Sequence, residues 1–82
     1  MDDAEEMIDE ALEEISDCVD ESTKAIVKEL LACGEAGVAL EIFCSQLLEF
    51  DIAIPSRVKE LLEVAARKMG LEIEELRSLK ST

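Results

Sequence analysis

The side chains in this sequence that could do chemistry are almost all carboxylates. Asp and Glu number 21 against 8 Lys and Arg, and there is no His, Trp or Tyr. A His-based triad, a His-liganded metal and a His-ligated haem are therefore excluded. Carboxylate pairs are so abundant that pairing alone does not single out general acid/base catalysis. No Gly-rich phosphate loop is present, and no Gly follows suitably spaced acids to make a calcium loop. No Ser stands in a Gly-x-Ser-x-Gly or Asp-Ser-Leu setting, which argues against a hydrolase and against an acyl carrier. Cys18, Cys33 and Cys44 contain no Cys-x-x-Cys pair and are expected to be small buried apolar residues, with no metal or redox role. The expectation is a protein that is not an enzyme and carries no cofactor.

The acids are unevenly placed. Residues 1–21 hold eleven of them (Asp2, Asp3, Glu5, Glu6, Asp9, Glu10, Glu13, Glu14, Asp17, Asp20 and Glu21) and no base. The rest of the chain holds ten acids and all eight bases, so −11 of the net −13 lies in the first quarter. Neither a grip on a nucleic-acid backbone, which needs clustered Lys and Arg, nor a base-stacking platform, which needs aromatics, fits this balance. The only aromatics are Phe43 and Phe50.

The element that must carry the acids is a helix. Ala4, Met7, Ile8, Ala11, Leu12, Ile15, Cys18 and Val19 recur at three- and four-residue steps, which predicts one amphipathic helix over about residues 3–19. The acids pair with one another at i and i+4: Asp2–Glu6, Glu5–Asp9, Glu6–Glu10, Asp9–Glu13, Glu10–Glu14, Glu13–Asp17 and Asp17–Glu21. Each like-charge pair destabilises an isolated helix by roughly 0.2–0.5 kcal/mol. Such a helix either tolerates a solvated face or awaits a cationic surface. Glu6, Asp9, Glu10, Glu13, Glu14 and Asp17 are the candidate partner-binding residues, with Glu49 and Asp51 further along the chain.

The remaining segments read as short helices. Ser22 or Thr23 is a suitable N-cap for a second helix whose apolar face is Ile26, Val27, Leu30, Leu31 and Cys33, with Gly34 as its stop. One bent helix could span both segments, but Asp20-Glu21-Ser22-Thr23 favours a break. A third helix begins near Glu35 and carries Val38, Ala39, Ile42, Phe43, Gln46, Leu47 and Phe50. Leu40, Cys44 and Leu48 widen its apolar arc, as expected of a central helix. The small residues Ala36, Gly37 and Ala39 suit a close helix crossing. Ile54, before Pro55, is biased to extended geometry. Ser56 is expected to cap a fourth helix with Val58, Leu61, Leu62, Ala65, Ala66 and Met69 inward, and Gly70 to end it. A last helix over about Glu72–Leu79 presents Ile73, Leu76 and Leu79. No alternating run is long enough for a strand. The fold class is all-α: one domain, a compact bundle of four to five short helices.

The run Leu30-Leu31-Ala32-Cys33-Gly34-Glu35-Ala36-Gly37-Val38-Ala39-Leu40-Glu41-Ile42, followed by Leu47-Leu48-Glu49, Ile52 to Pro55 and Met69-Gly70-Leu71, resembles the MafI family of bacterial immunity proteins. The likeness covers about residues 22–72, and the Gly34-Glu35, Gly37 and Ala39-Leu40-Glu41 steps are its distinctive part. It implies an antitoxin-like protein that binds the C-terminal toxin domain, commonly a nuclease, of a secreted polymorphic toxin. It adds Glu35 and Glu41 to the partner-binding set. Their bland alternatives are a dipole contact of Glu35 at the start of the third helix and an ion pair of Glu41 with Lys28 or Arg57. The charge argument agrees with the implied partner, since a nuclease carries a positive groove for its substrate. The alternative from another class is a self-associating helical adaptor or regulatory module, because the wide apolar arc and the small size allow a homodimer.

No apolar run reaches the length of a membrane span. The acidic start lacks the basic region of a signal peptide. The expected location is the cytoplasm, with no membrane and no direct nucleic-acid contact.

Overall fold

In the computed structural model, residues 3–82 are described and fold into five α-helices. They are α1 (Asp3–Glu14), α2 (Glu21–Ala32), α3 (Ala36–Glu49), α4 (Ser56–Lys68) and α5 (Glu74–Ser78). No strand occurs among the described residues, and the chain is an all-α bundle as its periodicity predicts. A single parallel bridge ties Ile54 to Ser81, with Ile54 N–H donating to the Lys80 carbonyl and Thr82 N–H to the Ile54 carbonyl. It fastens the C-terminus beside the start of α4, where the Ser56 and Ser81 hydroxyls lie 2.8 Å apart.

Three helices end in the same way. After α2, Gly34 takes φ +77°, its N–H donates to Leu31 and the Glu35 N–H donates to Leu30. After α4, Gly70 takes φ +69°, its N–H donates to Arg67 and the Leu71 N–H to Ala66. These are Schellman closures, in which a residue of positive φ turns two orphan carbonyls back onto amides. After α3 the same bonds run from Asp51 to Leu48 and from Ile52 to Leu47, and the left-handed position is held by Asp51 at φ 54°. Asp is among the few side chains that visit this region. Lys80 pairs with its carboxylate at 2.8 Å.

Helix starts differ from the expectation. Neither Ser22 nor Thr23 caps α2, which begins one residue after Asp20; Thr23 instead turns inward and is buried. Ser56 is the first residue of α4 and gives its hydroxyl to the C-terminal segment, while Pro55, with its preset φ, stands at the cap. The last helix is shorter than predicted. The first also stops early: α1 ends at Glu14, a 3₁₀ turn covers Ser16–Cys18, and the chain turns extended at Val19. The break before α2 therefore occurs. Of the acid pairs, Asp2–Glu6 lies outside the described residues.

The core is built from one stripe of every helix. Ile8, Leu12, Val27, Leu40, Phe43, Leu47, Val58 and Leu62 are all but inaccessible. Helix α1 packs most extensively on α4, and α2 on α3, while α3 touches each of the other four. At Gly37 an added Cβ would stand 3.2 Å from Leu71 Cδ1, so the small residue there serves a close crossing with the chain leaving α4. The cysteine expectation holds only for Cys44. That thiol is buried and pushed up to about 12, by desolvation first and then by the Glu75 carboxylate. Cys18 and Cys33 are exposed.

Candidate functional site

Helix α1 places five of its acids in two rows. At about 100° per residue, Asp9 and Glu13 fall on one side of the buried Ile8–Leu12 stripe, and Asp3, Glu10 and Glu14 on the other. A cation from a different helix meets each row. Lys28 of α2 reaches Glu13 at 2.7 Å and Asp9 at 3.4 Å. Arg57 of α4 reaches Glu10 at 3.2 Å and also pairs with Glu14. Lys68, at the far end of α4, lies 3.8 Å from Asp3. Helix α1 thus lies between two basic flanks, and the tertiary fold supplies the counter-charge its own sequence omits. The Lys28 hydrogen bond, then the Lys28 charge, holds the Glu13 carboxyl below its ordinary range; Lys28 is raised in return, chiefly through that same bond.

This arrangement corrects one expectation directly. Lys28 and Arg57 were the bases offered for Glu41, and both are engaged by α1 instead. The reason is geometric. Glu41 lies about 160° round α3 from the buried Phe43, so it looks away from the core into which α1 also packs. The ten candidate acids consequently form no single patch. Asp9, Glu10, Glu13 and Glu14 come together around α1 with their cations. Among the described residues, Glu6 on the outermost line of that helix has no ion pair, and Asp17 on the 3₁₀ turn has none either. Glu35 stands at the cap of α3, Glu41 on its outer face, and Glu49 and Asp51 at its C-terminal end, all exposed.

A second feature was not foreseen. Where the C-terminal end of α3 meets the start of α2, a mainly apolar groove of about 320 Å³ opens to solvent. Phe43, Leu47 and Ile52 line it on one side and Cys18, Val19, Asp20 and Thr23 on the other, with Gln46 and Phe50 completing the wall. Phe50 was expected on the buried stripe of α3, but it is 61% exposed. Ile26, Val38 and Leu48, also placed on apolar faces by their spacing, are 40–46% exposed. Phe50 caps α3, and the chain reverses at Asp51 before any helix can cover the ring. The one sequence signal available was its rarity, as one of two aromatic residues.

Among the described residues no group of three or more Cys, Asp or Glu is placed to hold a metal ion, and no helix is long and apolar enough to cross a membrane. Compared with protein-family models, curated proteins and solved structures, the chain matches none.

Proposed function

We propose that this chain is a cytoplasmic immunity protein that binds and neutralises a basic toxin domain, a nuclease by charge argument, and that it is not itself an enzyme. The observation that carries this reading is the acid surplus of the first quarter. Residues 1–21 hold eleven acids and no base; Lys28, Arg57 and Lys68 reach them from elsewhere in the fold, and Lys24 pairs with Glu21 at 2.9 Å. The unanswered charge centres on Glu6 and continues through Asp17 and Asp20. Complementary charge of this kind speeds encounter and fixes orientation, while affinity comes from a few desolvated contacts. The resemblance over about residues 22–72 supports the same class of partner.

The exposed, paired acids have a defined part in such a complex. Arg57 holds Glu10 and Glu14 from the surface, so an arginine of the partner can replace it without unfolding α1. Glu6 and Asp17 have no ion-pair partner among the described residues to give up, so they are the first residues to meet an incoming cation.

The test is co-expression with the toxin domain encoded beside this chain, reading growth rescue and co-purification. Rescue is expected, with a complex that weakens between low and physiological salt, where the Debye length falls to roughly 8 Å. Glu6→Lys together with Asp17→Lys should slow association at least about tenfold while leaving thermal stability within about 0.5 kcal/mol. Absence of rescue and of complex, together with a homodimer in sedimentation, would move the adaptor reading to the front.

A further inference from the structure

We infer that the groove between the start of α2 and the end of α3 is a docking site for a bulky apolar side chain carried on a lysine- or arginine-rich segment of a partner protein. The inference deepens the immunity reading and rests on it only for the identity of that partner.

Three observations converge there. The first is shape and polarity: a groove of about 320 Å³ has room for one large side chain, and its lining includes the apolar Phe43, Leu47 and Ile52. The second is Phe50, a ring left 61% exposed at the mouth in a chain with only two aromatics. An exposed aromatic beside an apolar depression is the usual composition of an interface centre. The third is the rim. Asp20 lines the groove, Asp17 immediately precedes its lining residue Cys18, and Glu49 adjoins Phe50. Among the described residues no ion pair engages any of these three carboxylates. Lys24 is committed to Glu21 and Lys80 to Asp51.

The charge chooses the occupant. A second copy would bring the acidic patch at Asp20 against itself across a two-fold axis, because such an interface uses the same patch on both subunits. Like charges so placed oppose association, and the net −13 adds to the effect. An anionic ligand meets the same repulsion. A cationic segment gains from the rim and delivers its apolar side chain to the apolar lining. The site also explains why charge alone need not carry the affinity: the rim steers, and the desolvated anchor holds.

The experiment is a titration of the isotopically labelled full chain, followed by amide and phenyl chemical shifts, at low and physiological salt. The probes are three blocked pentapeptides: Lys-Lys-Phe-Lys-Lys, Lys-Lys-Ser-Lys-Lys and Glu-Glu-Phe-Glu-Glu. The first should bind with shifts centred on Thr23, Gln46 and Phe50, at least about tenfold more tightly than either of the others at low salt. Phe50→Ser and, separately, Asp20→Lys should each weaken it several-fold, with the rest of the spectrum unchanged because both side chains are exposed. Equal binding of the serine peptide reduces the site to an acidic surface and overturns the inference. So do equal binding of the acidic peptide, shifts confined to α1, and concentration-dependent shifts at Phe50 with a dimer in sedimentation. Growth rescue separates the two readings. Rescue by the chain with no peptide at the groove leaves the immunity reading and removes this one, whereas groove binding without rescue by any toxin domain does the reverse.

Discussion

The flanks of α1 and the mouth of the groove are both acidic, yet the fold treats them differently. Along α1, Lys28 and Arg57 arrive from distant parts of the chain and answer the carboxylates from within. At the groove, Asp20 lines the depression that the exposed Phe50 also borders, Asp17 and Glu49 are near neighbours of lining residues along the chain, and Lys24 and Lys80 are engaged with Glu21 and Asp51. The contrast teaches that acidic charge density and exposed apolar surface lie in different parts of this molecule. On α1, Asp9, Glu10, Glu13 and Glu14 have cations from other helices, whereas Asp20 stands beside exposed apolar surface.

The contrast can be broken most forcefully with the two phenylalanines. Phe43→Ala opens a cavity in the fully packed centre and should cost about 3–5 kcal/mol, enough to unfold much of a domain this small. Phe50→Ala should stay within about 1 kcal/mol in the same urea titration. Comparable losses from both would mean that the groove wall is part of the core.

The thiols sharpen the same division. Cys18 at the groove and Cys33 after α2 should react with a thiol reagent in the native state, and Cys44 only upon unfolding. Because burial raises Cys44 above its ordinary value of 9.0 to about 12, the folded state keeps a proton the unfolded state gives up. Its contribution to stability is complete below pH 9 and is lost as pH climbs towards 12. Melts across that range should show the decline, and Cys44→Ala should flatten it.

Smaller effects are expected on the α1 flanks. Arg57→Ala removes exposed pairs with Glu10 and Glu14 and should cost less than about 1 kcal/mol, a difference that shrinks as salt is added. A larger, salt-insensitive loss would show that the flank is structural rather than exchangeable.

The smallest effect belongs to the Glu13–Lys28 pair. Glu13 is held below 4.5, so its share of stability is present above that value and disappears as pH falls through the lowered one. Lys28 is raised above 10.5, so its share is present below that value and disappears as pH rises through the raised one. At neutral pH both are intact. Lys28→Met should remove the acid-side sensitivity of Glu13 without changing the groove.

Much of the architecture was readable along the chain because it depends on local rules. Three- and four-residue apolar spacing marks helix faces, and it correctly turned Ile8, Leu12, Val27, Leu62 and Leu76 inward. Gly34 and Gly70 stop their helices because a left-handed residue with no Cβ penalty is needed there. Asp51 does the same work after α3 but carries no such plain signal, since Asp is tolerated in that conformation without demanding it. The caps misled for a related reason. Ser22, Thr23 and Ser56 all suit a helix start, but tertiary contacts assigned Thr23 to the interior and Ser56 to the C-terminal segment.

The candidate site was half legible. The acids of α1 are counted off the sequence, but their neutralisation depends on bases far along the chain, from Lys28 at 15 residues from Glu13 to Lys68 at the far end of α4, which reach them only once α1 packs between α2 and α4. Phe43 and Phe50 state the limit most plainly. Seven residues apart on one helix, they point to nearly the same side. That direction follows from helical geometry and is written in the sequence. Whether anything stands there to cover the ring is not local. For Phe43 the other helices close over it, whereas for Phe50 the chain has already turned away at Asp51, and only the assembled fold decides that one aromatic is core and the other is surface.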